Sequence, residues 1–241
     1  MKMRIAIMQP YFMPYLGYFS LIAASDRFIV FDPVQYIRRG WLNRNRILKP
    51  GLVDDQYITV PITKQARDTP IRDTRVKTEL DWKAKIRSQT EHYRKRAPYF
   101  QQAREILDAC LSLETENLVD LNVHCLTVVC ESVGIAFNPL LFGDIQPEID
   151  PPEHAGQWAL NIAARLDASS YINPSGGRDI FRTAEFDGKG IGLQFLTHHL
   201  SPYSQPNDAG FVAGLSILDV LMFNDLEETR RMITDDFVVT D

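Results

Sequence analysis

Several familiar signals are missing from this chain of 241 residues. No stretch approaches the roughly 18 consecutive apolar residues of a membrane-spanning helix, so no membrane span is expected. Three cysteines without Cys-x-x-Cys spacing predict neither a disulfide framework nor a zinc site. The net charge of −5 argues against a general nucleic-acid-binding protein, which would carry a basic excess. The apolar start is too short for a signal peptide, so we expect a soluble, cytoplasmic protein.

Catalytic and metal-binding motifs are missing too. The five histidines show no spacing typical of metal ligands, so no metal site is predicted. The sequence contains no Gly-x-Ser-x-Gly and no His-Glu-x-x-His motif, which are common signatures of serine hydrolases and zinc peptidases. A functional site must therefore be sought among residues outside these motifs.

Alternating strand and helix patterns predict an α/β protein. Residues 4–8 form a short apolar run typical of a buried strand, residues 18–24 suggest a short helix, and residues 28–32 form a second apolar run. A strand, a helix and a strand in this order give parallel neighbours. We therefore predict a Rossmann-like parallel sheet flanked by helices. Its ligands should bind beyond the carboxyl ends of the strands, at residues 8–10 and 31–33.

The rest of the chain continues this alternation without an internal repeat or a linker. Helical periodicity dominates residues 82–133, which we predict to be a helical insertion or subdomain. Residues 143–156 are acidic and rich in proline, so we expect an exposed loop there. One α/β domain over residues 1–241 is the simplest organisation. Further strands are expected at 57–61, 170–173 and 191–196, and further helices at 158–166 and 216–223.

The strongest functional signal is the segment 9–18, Gln-Pro-Tyr-Phe-Met-Pro-Tyr-Leu-Gly-Tyr. Its two prolines and its glycine predict an unusual loop at the sheet edge where a ligand would bind. Gln9 could supply amide hydrogen bonds, and the tyrosines could stack on a base or a sugar ring. The alternative is a purely structural turn packed by its tyrosines, and we favour the binding loop. These tyrosines are Tyr11, Tyr15 and Tyr18.

A second signal follows in residues 31–49. No acidic residue lies between Asp32 and Asp54, whereas basic residues accumulate there. In an acidic protein this run predicts an anionic ligand such as phosphate, pyrophosphate or carboxylate, which guanidinium groups bind in bidentate fashion. The alternative is a solvated charged turn, which suffices for Arg38 and Arg39 alone. More typical of polar recognition is the alternating run of Asn43, Arg44, Asn45 and Arg46.

A third signal is the turn at residues 173–179, Asn-Pro-Ser-Gly-Gly-Arg-Asp. The pair Gly176-Gly177 after a predicted strand could present backbone N–H groups to an anion, with Arg178 beside it. Many strand-to-helix turns use glycine, and this one is neither a P-loop nor a Gly-x-Gly-x-x-Gly fingerprint. Tyr203 and Gln205 follow a later strand and could reach the same site.

Together these residues resemble the WbqC-like family, which is named for bacterial O-antigen gene clusters. The matching positions span nearly the whole chain. They are Gln9-Pro10, Pro14, Gly17-Tyr18, Phe31-Asp32 with Gln35, Asn43-Arg44-Asn45, Pro61, Tyr93, Tyr171, Gly190-Ile191, Tyr203, Gln205, Leu215-Ser216-Ile217 and Asp219. The resemblance implies work on nucleotide-activated or lipid-linked sugars for surface polysaccharides, such as the O-antigen of lipopolysaccharide.

The reaction implied by this resemblance is a transfer of an acyl or aminoacyl group to the amine of a sugar nucleotide. The donor would be an acyl-CoA or a carrier-protein thioester, with no further cofactor, and a carrier protein would be a partner. No serine or cysteine stands out as a nucleophile, so direct attack by the acceptor amine is expected.

Particular residues can be assigned to this implied reaction. Gln9, Asp32 and Gln35 would orient the acceptor, and Asp32 would act as the general base. The remaining candidates would bind the substrate, its rings through the tyrosines and its diphosphate through basic and amide groups. The residues expected to hold the diphosphate are Arg44, Asn45 and Arg178.

A more distant likeness is to the nucleotidylyltransferase superfamily, pantothenate synthetase included. In that superfamily a proline-bearing loop leads to His-x-Gly-His, and the next strand ends in Asn-Pro-x-Gln-Phe. Here Tyr15-Leu-Gly-Tyr18 and Asp32-Pro-Val-Gln-Tyr36 occupy these places. Tyrosine stays neutral near pH 7 and cannot supply the imidazolium charge. Adenylyl transfer would therefore be lost unless the arginines of 38–46 replace that charge.

Two other hypotheses stay open on the sequence alone. One is nucleotidylyl transfer with Mg²⁺ and ATP or CTP on the inherited scaffold. The other is a non-catalytic module that binds a sugar nucleotide or a carrier protein.

Overall fold

The computed structural model describes residues 3–51, 54–205 and 210–241. Its strands are β1 (Arg4–Met8), β2 (Arg27–Val30), β3 (Arg44–Leu48), β4 (Asp55–Thr59), β5 (Pro139–Leu141), β6 (Ser170–Pro174), β7 (Gly192–His198) and β8 (Phe237–Thr240). Its α-helices are α1 (Leu16–Ala23), α2 (Trp82–Thr90), α3 (Phe100–Cys110), α4 (Leu118–Val133), α5 (Phe142–Ile145), α6 (Gln157–Arg165), α7 (Thr183–Gly188), α8 (Ile217–Phe223) and α9 (Leu226–Asp235).

Six of these strands form one sheet in the order β5-β2-β1-β6-β7-β8. The first five are parallel to their neighbours, and β8 runs antiparallel to β7. From β1 the chain builds β2 and β5 on one side, then crosses to β6 and β7 on the other. This Rossmann-like arrangement, flanked by helices, confirms the predicted fold class. The strand order reverses between β1 and β6, and ligands of such sheets bind at this switch point.

Both faces of the sheet are covered, which explains the continuous apolar runs in its strands. Successive residues of β1 point to opposite faces. Ile5 and Ile7 pack in a core with α6 and α7, whereas Ala6 packs in a second core with α1. Phe28 and Ile29 on β2 divide in the same way. Each large apolar side chain buried in this way contributes about 1.5–3 kcal/mol.

The segment between β2 and β5 contains the helical insertion that was predicted, and we call the whole segment the insertion. It contains the antiparallel hairpin of β3 and β4, in which Arg44 pairs with Thr59 and Leu48 pairs with Asp55. The helices α2, α3 and α4 follow within residues 82–133, as predicted. The last of these helices ends at Val133, and the next residue, Gly134, adopts the left-handed conformation (φ 72°) that favours glycine at this position.

The run Asn43-Arg44-Asn45-Arg46, interpreted as typical of polar recognition, lies largely on the strand β3, in which Asn45 and Ile47 are buried while Arg44 and Arg46 are half-exposed. One local prediction was wrong in part. Residues 143–156 are only partly a loop, because α5 extends to residue 145. This short helix is anchored by Phe142, which is fully buried. The strands β5 and β8 and the helix α9 were not predicted.

A buried carboxylate joins the insertion to α8. Asp219 is fully buried and accepts hydrogen bonds from the hydroxyls of Tyr93 (2.5 Å) and Tyr203 (2.6 Å). The Tyr93 hydroxyl in turn accepts a hydrogen bond from the backbone N–H of Leu48 on β3 (2.8 Å). Burial raises the pKa of Asp219, and the two tyrosine donors lower it in part. The strand β3 and the helix α8, which are far apart in the chain, are therefore joined by one hydrogen-bonded cluster.

Removing the Tyr93 hydroxyl should destabilise the protein. In Tyr93→Phe, Asp219 loses a donor and the Leu48 N–H loses its acceptor, which should lower the free energy of unfolding by about 2–4 kcal/mol. Urea titration followed by circular dichroism measures this difference. Tyr99→Phe, at a half-buried tyrosine just before α3, is the control. Equal stability of the two variants would contradict the importance of this cluster.

Candidate functional site

The loop from Gln9 to Pro14 lies at the switch point, directly after β1. Its backbone carbonyls belong to no strand or helix, and a buried carbonyl without a partner is costly. Here they are bonded by other parts of the chain. The Gln9 carbonyl accepts a hydrogen bond from the Tyr18 hydroxyl (2.8 Å), and the Pro14 carbonyl accepts one from the Ile217 N–H (2.8 Å).

Two buried asparagines hold the middle of this loop. The side-chain amide of Asn122 on α4 donates to the Pro10 carbonyl (2.7 Å) and to the Leu42 carbonyl (2.8 Å). The side-chain amide of Asn45 on β3 donates to the Phe12 carbonyl (3.2 Å). The loop is therefore tied to the hairpin and to the helices of the insertion.

Residues at the start of α8 fix the end of the loop. The Ser216 hydroxyl donates to the Met13 carbonyl (2.7 Å), and the Ser216 N–H donates to the Arg46 carbonyl (2.8 Å). Met13 has a φ of 44°, a left-handed backbone conformation that is uncommon for a residue other than glycine. Such strain persists only where the surroundings fix the backbone, and it is concentrated at functional sites.

A cavity of about 670 Å³ opens beside this loop, between the ends of β1 and β6. We call it the aromatic cavity, because rings from the loop, from α1 and from the start of the hairpin form much of its wall. Its volume is typical of small-molecule binding sites, and its position is the one expected for this fold. Its lining residues include Tyr11, Tyr15, Tyr18, Trp41, Asn45 and Gly176.

The three tyrosines predicted as binding residues all line the aromatic cavity. Burial raises the pKa of each hydroxyl, so all three stay protonated near pH 7. The Tyr18 hydroxyl donates to the Gln9 carbonyl, whereas the hydroxyls of Tyr11 and Tyr15 have no hydrogen-bond partner among the described residues. Gly17 makes room for the ring of Tyr15, because a Cβ at this position would lie 2.5 Å from its Cε2. The spacing Tyr-Leu-Gly-Tyr is thus explained by packing at the cavity wall.

The asparagines of the Asn43-Arg44-Asn45 run are both buried and both bond to other protein groups. Asn43 donates to the Val60 carbonyl (2.8 Å) and accepts a hydrogen bond from the Tyr36 hydroxyl (2.7 Å). The Asn45 amide group donates to the loop and its oxygen accepts from the Arg46 N–H (2.8 Å). A diphosphate contact from Asn45 would therefore compete with the hydrogen bond that holds the loop.

Arg44 lies on the other side of the hairpin from Asn45. Its guanidinium donates to the backbone carbonyls of Arg39 and Gly40 and lies 4.1 Å from the centroid of the Tyr57 ring. It lines a second cavity, which is not bordered by the three tyrosines of the loop. The structure therefore separates Arg44 from the aromatic cavity.

Asp32 follows β2, one strand along the sheet from the aromatic cavity. Its side chain is buried, and its Oδ1 has no hydrogen-bond partner among the described residues. Burial raises the pKa of Asp32, while its own backbone N–H and the nearby Arg72 lower it in part. The raised pKa suits a carboxyl group that accepts a proton, although Oδ1 itself is buried from solvent. Within the described parts of the chain, however, the residues lining the aromatic cavity do not include Asp32.

The two glutamines predicted to orient an acceptor lie in different surroundings. Gln9 directly follows β1 and is half-buried at the switch point. Gln35 is exposed, donates to the Arg67 carbonyl (2.6 Å) and borders a separate cavity beside Arg38. The structure does not bring Gln35 to the aromatic cavity.

The Gly-Gly turn after β6 contributes backbone to the aromatic cavity, where Gly176 lines the wall. Gly177 packs against Asn173, since a Cβ there would lie 2.4 Å from the Asn173 Nδ2. The guanidinium of Arg178 donates instead to the Thr240 hydroxyl (2.9 Å) and to the Asp241 carbonyl (3.1 Å). The Arg178 side chain therefore contacts the end of β8 and not the aromatic cavity.

Tyr203 and Gln205 bond to the buried cluster of Asp219 rather than to an open surface. The Gln205 amide group donates to Asp219 (3.2 Å) and to the Val212 carbonyl (3.1 Å), and its oxygen accepts from the Val212 N–H (2.8 Å). Gly214, two residues after Val212, lines the aromatic cavity. These two predicted binding residues thus support the cavity wall from behind.

Two further features concern metal binding and membrane insertion in the described residues. They contain no group of three or more metal-ligating side chains. None of the helices in these ranges is long and apolar enough to cross a membrane.

Sequence comparison relates this site to other proteins. The profile of the WbqC-like protein family matches residues 9–231, from the loop after β1 to α9. This chain belongs to the WbqC-like protein family. It is 31% identical over 224 residues to the uncharacterized protein Rv1507c of Mycobacterium tuberculosis (strain ATCC 25618 / H37Rv), covering 92% of this chain and 93% of that protein. No solved structure matches the chain significantly.

Sequence analysis missed two residues of this WbqC-like site. Asn122 holds the loop from a core position of α4, and the signal for it was a polar side chain on an apolar helical face, where it needs a partner. Trp41 lines the aromatic cavity although 39% of it is exposed. The signal for Trp41 was a large aromatic residue within a basic and polar segment.

Removing the Asn122 amide should destabilise the protein by loosening the loop. Asn122→Ala leaves the buried carbonyls of Pro10 and Leu42 without donors, which should cost about 2–4 kcal/mol in the free energy of unfolding. Asn161→Ala removes a single hydrogen bond, from the side-chain amide to the Asp150 carbonyl near the surface, and is the matched control. Urea titration compares the two variants, and a smaller loss in Asn122→Ala than in Asn161→Ala would contradict the role of Asn122.

Asp32→Asn should raise the melting temperature near neutral pH. Because the pKa of Asp32 is raised on folding, its ionisation destabilises the folded state above the folded pKa, and this penalty vanishes below the unfolded pKa. The gain should therefore be present near pH 7 and disappear as the pH falls toward about 4. Thermal melts across this range measure it, with Asp187→Asn at an exposed site as the control for net charge. A melting temperature below that of the unaltered protein near pH 7 would contradict the prediction.

Proposed function

We propose that this WbqC-like protein is a transferase that moves an acyl or aminoacyl group to the amine of a nucleotide-activated sugar, in the synthesis of a surface polysaccharide. The observation that supports this most is the aromatic cavity at the switch point. It combines aromatic rings with the hydroxyls of Tyr11 and Tyr15. The apolar face of a sugar or base can pack on the rings, while its hydroxyl or amide groups bond to the polar ones.

The aromatic cavity suits a neutral ring better than a phosphate group. Among the described residues that line it, none carries a charge. A phosphate buried there would lose its hydration without an opposite charge nearby, which is costly. The proposed substrate would therefore place its sugar or its base in the cavity and leave its diphosphate outside.

In the proposed reaction, the acceptor amine attacks the carbonyl carbon of a thioester donor. A C–N bond forms, the C–S bond breaks, the thiol sulfur leaves with the bonding electrons, and a base removes the extra proton from nitrogen. No serine, cysteine or lysine is among the described residues lining the cavity, so direct attack fits better than an acyl-enzyme intermediate. Asp32 is the proposed base because its pKa is raised and its Oδ1 has no partner among the described residues.

A second candidate function is a module that binds a sugar nucleotide without catalysis. The observation in its favour is that Asp32 and Gln35 are not among the described residues lining the aromatic cavity. A binding module needs the cavity and its supporting loop but no base beside the bound amine. The two candidates agree on the ligand and differ in turnover.

Binding of a sugar nucleotide should raise the melting temperature, because a ligand that binds only the folded protein stabilises it by mass action. Gly176→Leu should abolish this shift, because Gly176 lines the cavity and an added Cβ meets no atom within 4 Å. Gly188→Leu has equal space at the exposed end of α7 and is the matched control. The measurement is a thermal-shift screen with sugar nucleotides, acyl-CoA, ATP and CTP.

The outcomes of this screen separate the hypotheses. A shift with a sugar nucleotide that survives in Gly188→Leu and is lost in Gly176→Leu would support binding in the aromatic cavity. A separate assay measures the release of free thiol from an acyl-CoA. If Asp32→Asn reduces this release but keeps the shift in melting temperature with the sugar nucleotide, the transferase is supported over the binding module. A shift with ATP or CTP alone would favour nucleotidylyl transfer, and equal shifts in both glycine variants would contradict the assignment of this cavity.

A further inference from the structure

A second cavity, of about 350 Å³, lies on the other side of the hairpin from the tyrosines. It is formed by the loop between β2 and β3, the first residues of β3, and the segment after β4. We call it the basic cavity, because its charged lining residues among those described are all cationic. They are Arg38, Arg39, Arg44 and Lys64.

Within the described ranges, no carboxylate neutralises these four cations. None of them forms an ion pair with a described carboxylate, although the chain as a whole has a net charge of −5. Other cations of the same hairpin are paired, since Arg46 lies 2.8 Å from Asp55 and Lys49 lies 2.5 Å from Asp54. The hairpin therefore separates paired cations from cations that remain available to an anionic ligand.

The basic cavity is also held in shape before any ligand binds. The Arg44 guanidinium bonds to the carbonyls of Arg39 and Gly40 and stacks on Tyr57, which fixes the loop. Arg39 has a φ of 63°, a left-handed conformation that is uncommon for arginine. Strain of this kind is concentrated where a backbone is fixed for binding. A site arranged in advance loses less free energy when its ligand is ordered.

A third cavity, of about 360 Å³, adjoins the basic cavity at Arg38 and Tyr36, which line both. It is bordered by Gln35 and by a fifth cation, Arg67. The cationic surface is therefore longer than one phosphate group, and it continues over two neighbouring concave sites.

We propose that the basic cavity binds the pyrophosphate group of a nucleoside-linked substrate. Several cations around two adjoining cavities match two linked phosphates better than one carboxylate, and guanidinium groups bind phosphate oxygens in pairs. Two ligands share this chemistry, namely the diphosphate of a sugar nucleotide and the nucleoside pyrophosphate of an acyl-coenzyme A donor. This site stands on its own observations, and the proposed function enters only in naming these two sources.

The test is isothermal titration calorimetry of the full chain with inorganic pyrophosphate. The double variant Arg38→Gln/Lys64→Gln removes two exposed cations and leaves Arg44, which holds the loop, in place. The control Lys85→Gln/Lys189→Gln makes the same change in net charge at exposed sites elsewhere. We expect pyrophosphate binding to weaken about tenfold or more in the first variant, to stay unchanged in the control, and to weaken as salt rises.

Coenzyme A and a uridine diphosphate sugar are then titrated to identify the source. Loss of coenzyme A binding alone in the double variant would assign the site to the donor, and loss of sugar-nucleotide binding alone would assign it to the acceptor. Gly176→Leu, which blocks the aromatic cavity, should leave pyrophosphate binding intact. The assignments of the two cavities are therefore tested independently. Equal pyrophosphate binding by the double variant and the control would overturn the proposal. Vesicles of phosphatidylglycerol that bind through these cations without competition from pyrophosphate would overturn it as well, because the cations would then form a bilayer-binding surface.

Discussion

The backbone carbonyls of the loop after β1 impose the constraint on which this site depends. The loop contains two prolines and forms no regular secondary structure, so its buried carbonyls need donors from elsewhere. Those donors come from α1, β3, α4 and α8, through Tyr18, Asn45, Asn122 and Ser216. Four elements from most of the length of the chain must therefore be in place before the loop has one conformation.

This arrangement joins the sheet to its insertion at the site itself. In a simple Rossmann-like sheet the ligand crevice is bordered by loops of the sheet. Here one wall comes from β1, α1 and β6, and another comes from the hairpin through Trp41 and Asn45. The buried cluster of Asp219 and Tyr93 adds a second connection between β3 and α8. The cavity is thus formed between parts of the fold that hydrogen bonds already hold together.

The sequence was sufficient for the fold class and for the edge of the sheet where the cavity lies, because apolar periodicity and parallel topology are local patterns with general consequences. Of the two strand ends expected there, only the one at Met8 lines the cavity, and residues 31–33 do not. The partners of individual polar residues were beyond the sequence. Asn45 and Arg178 are of residue types common in ligand-binding sites, yet Asn45 bonds to the Phe12 carbonyl and Arg178 bonds to Thr240. A polar side chain can satisfy either a ligand or a distant backbone group, and only the tertiary structure decides which. Asn122 escaped notice for the same reason, since its partner Pro10 is more than a hundred residues away.

The strand β3 provides the physical basis for treating the two cavities as different kinds of site. Successive side chains of a strand point to opposite faces, so Asn45 borders the aromatic cavity while Arg44 borders the basic one. Arg44 and the other cations of the basic cavity are thereby kept apart from the rings that line the aromatic cavity. A phosphate would be poorly solvated among the rings of the aromatic cavity. The two faces of β3 therefore border one cavity suited to a neutral ring and another suited to an anion.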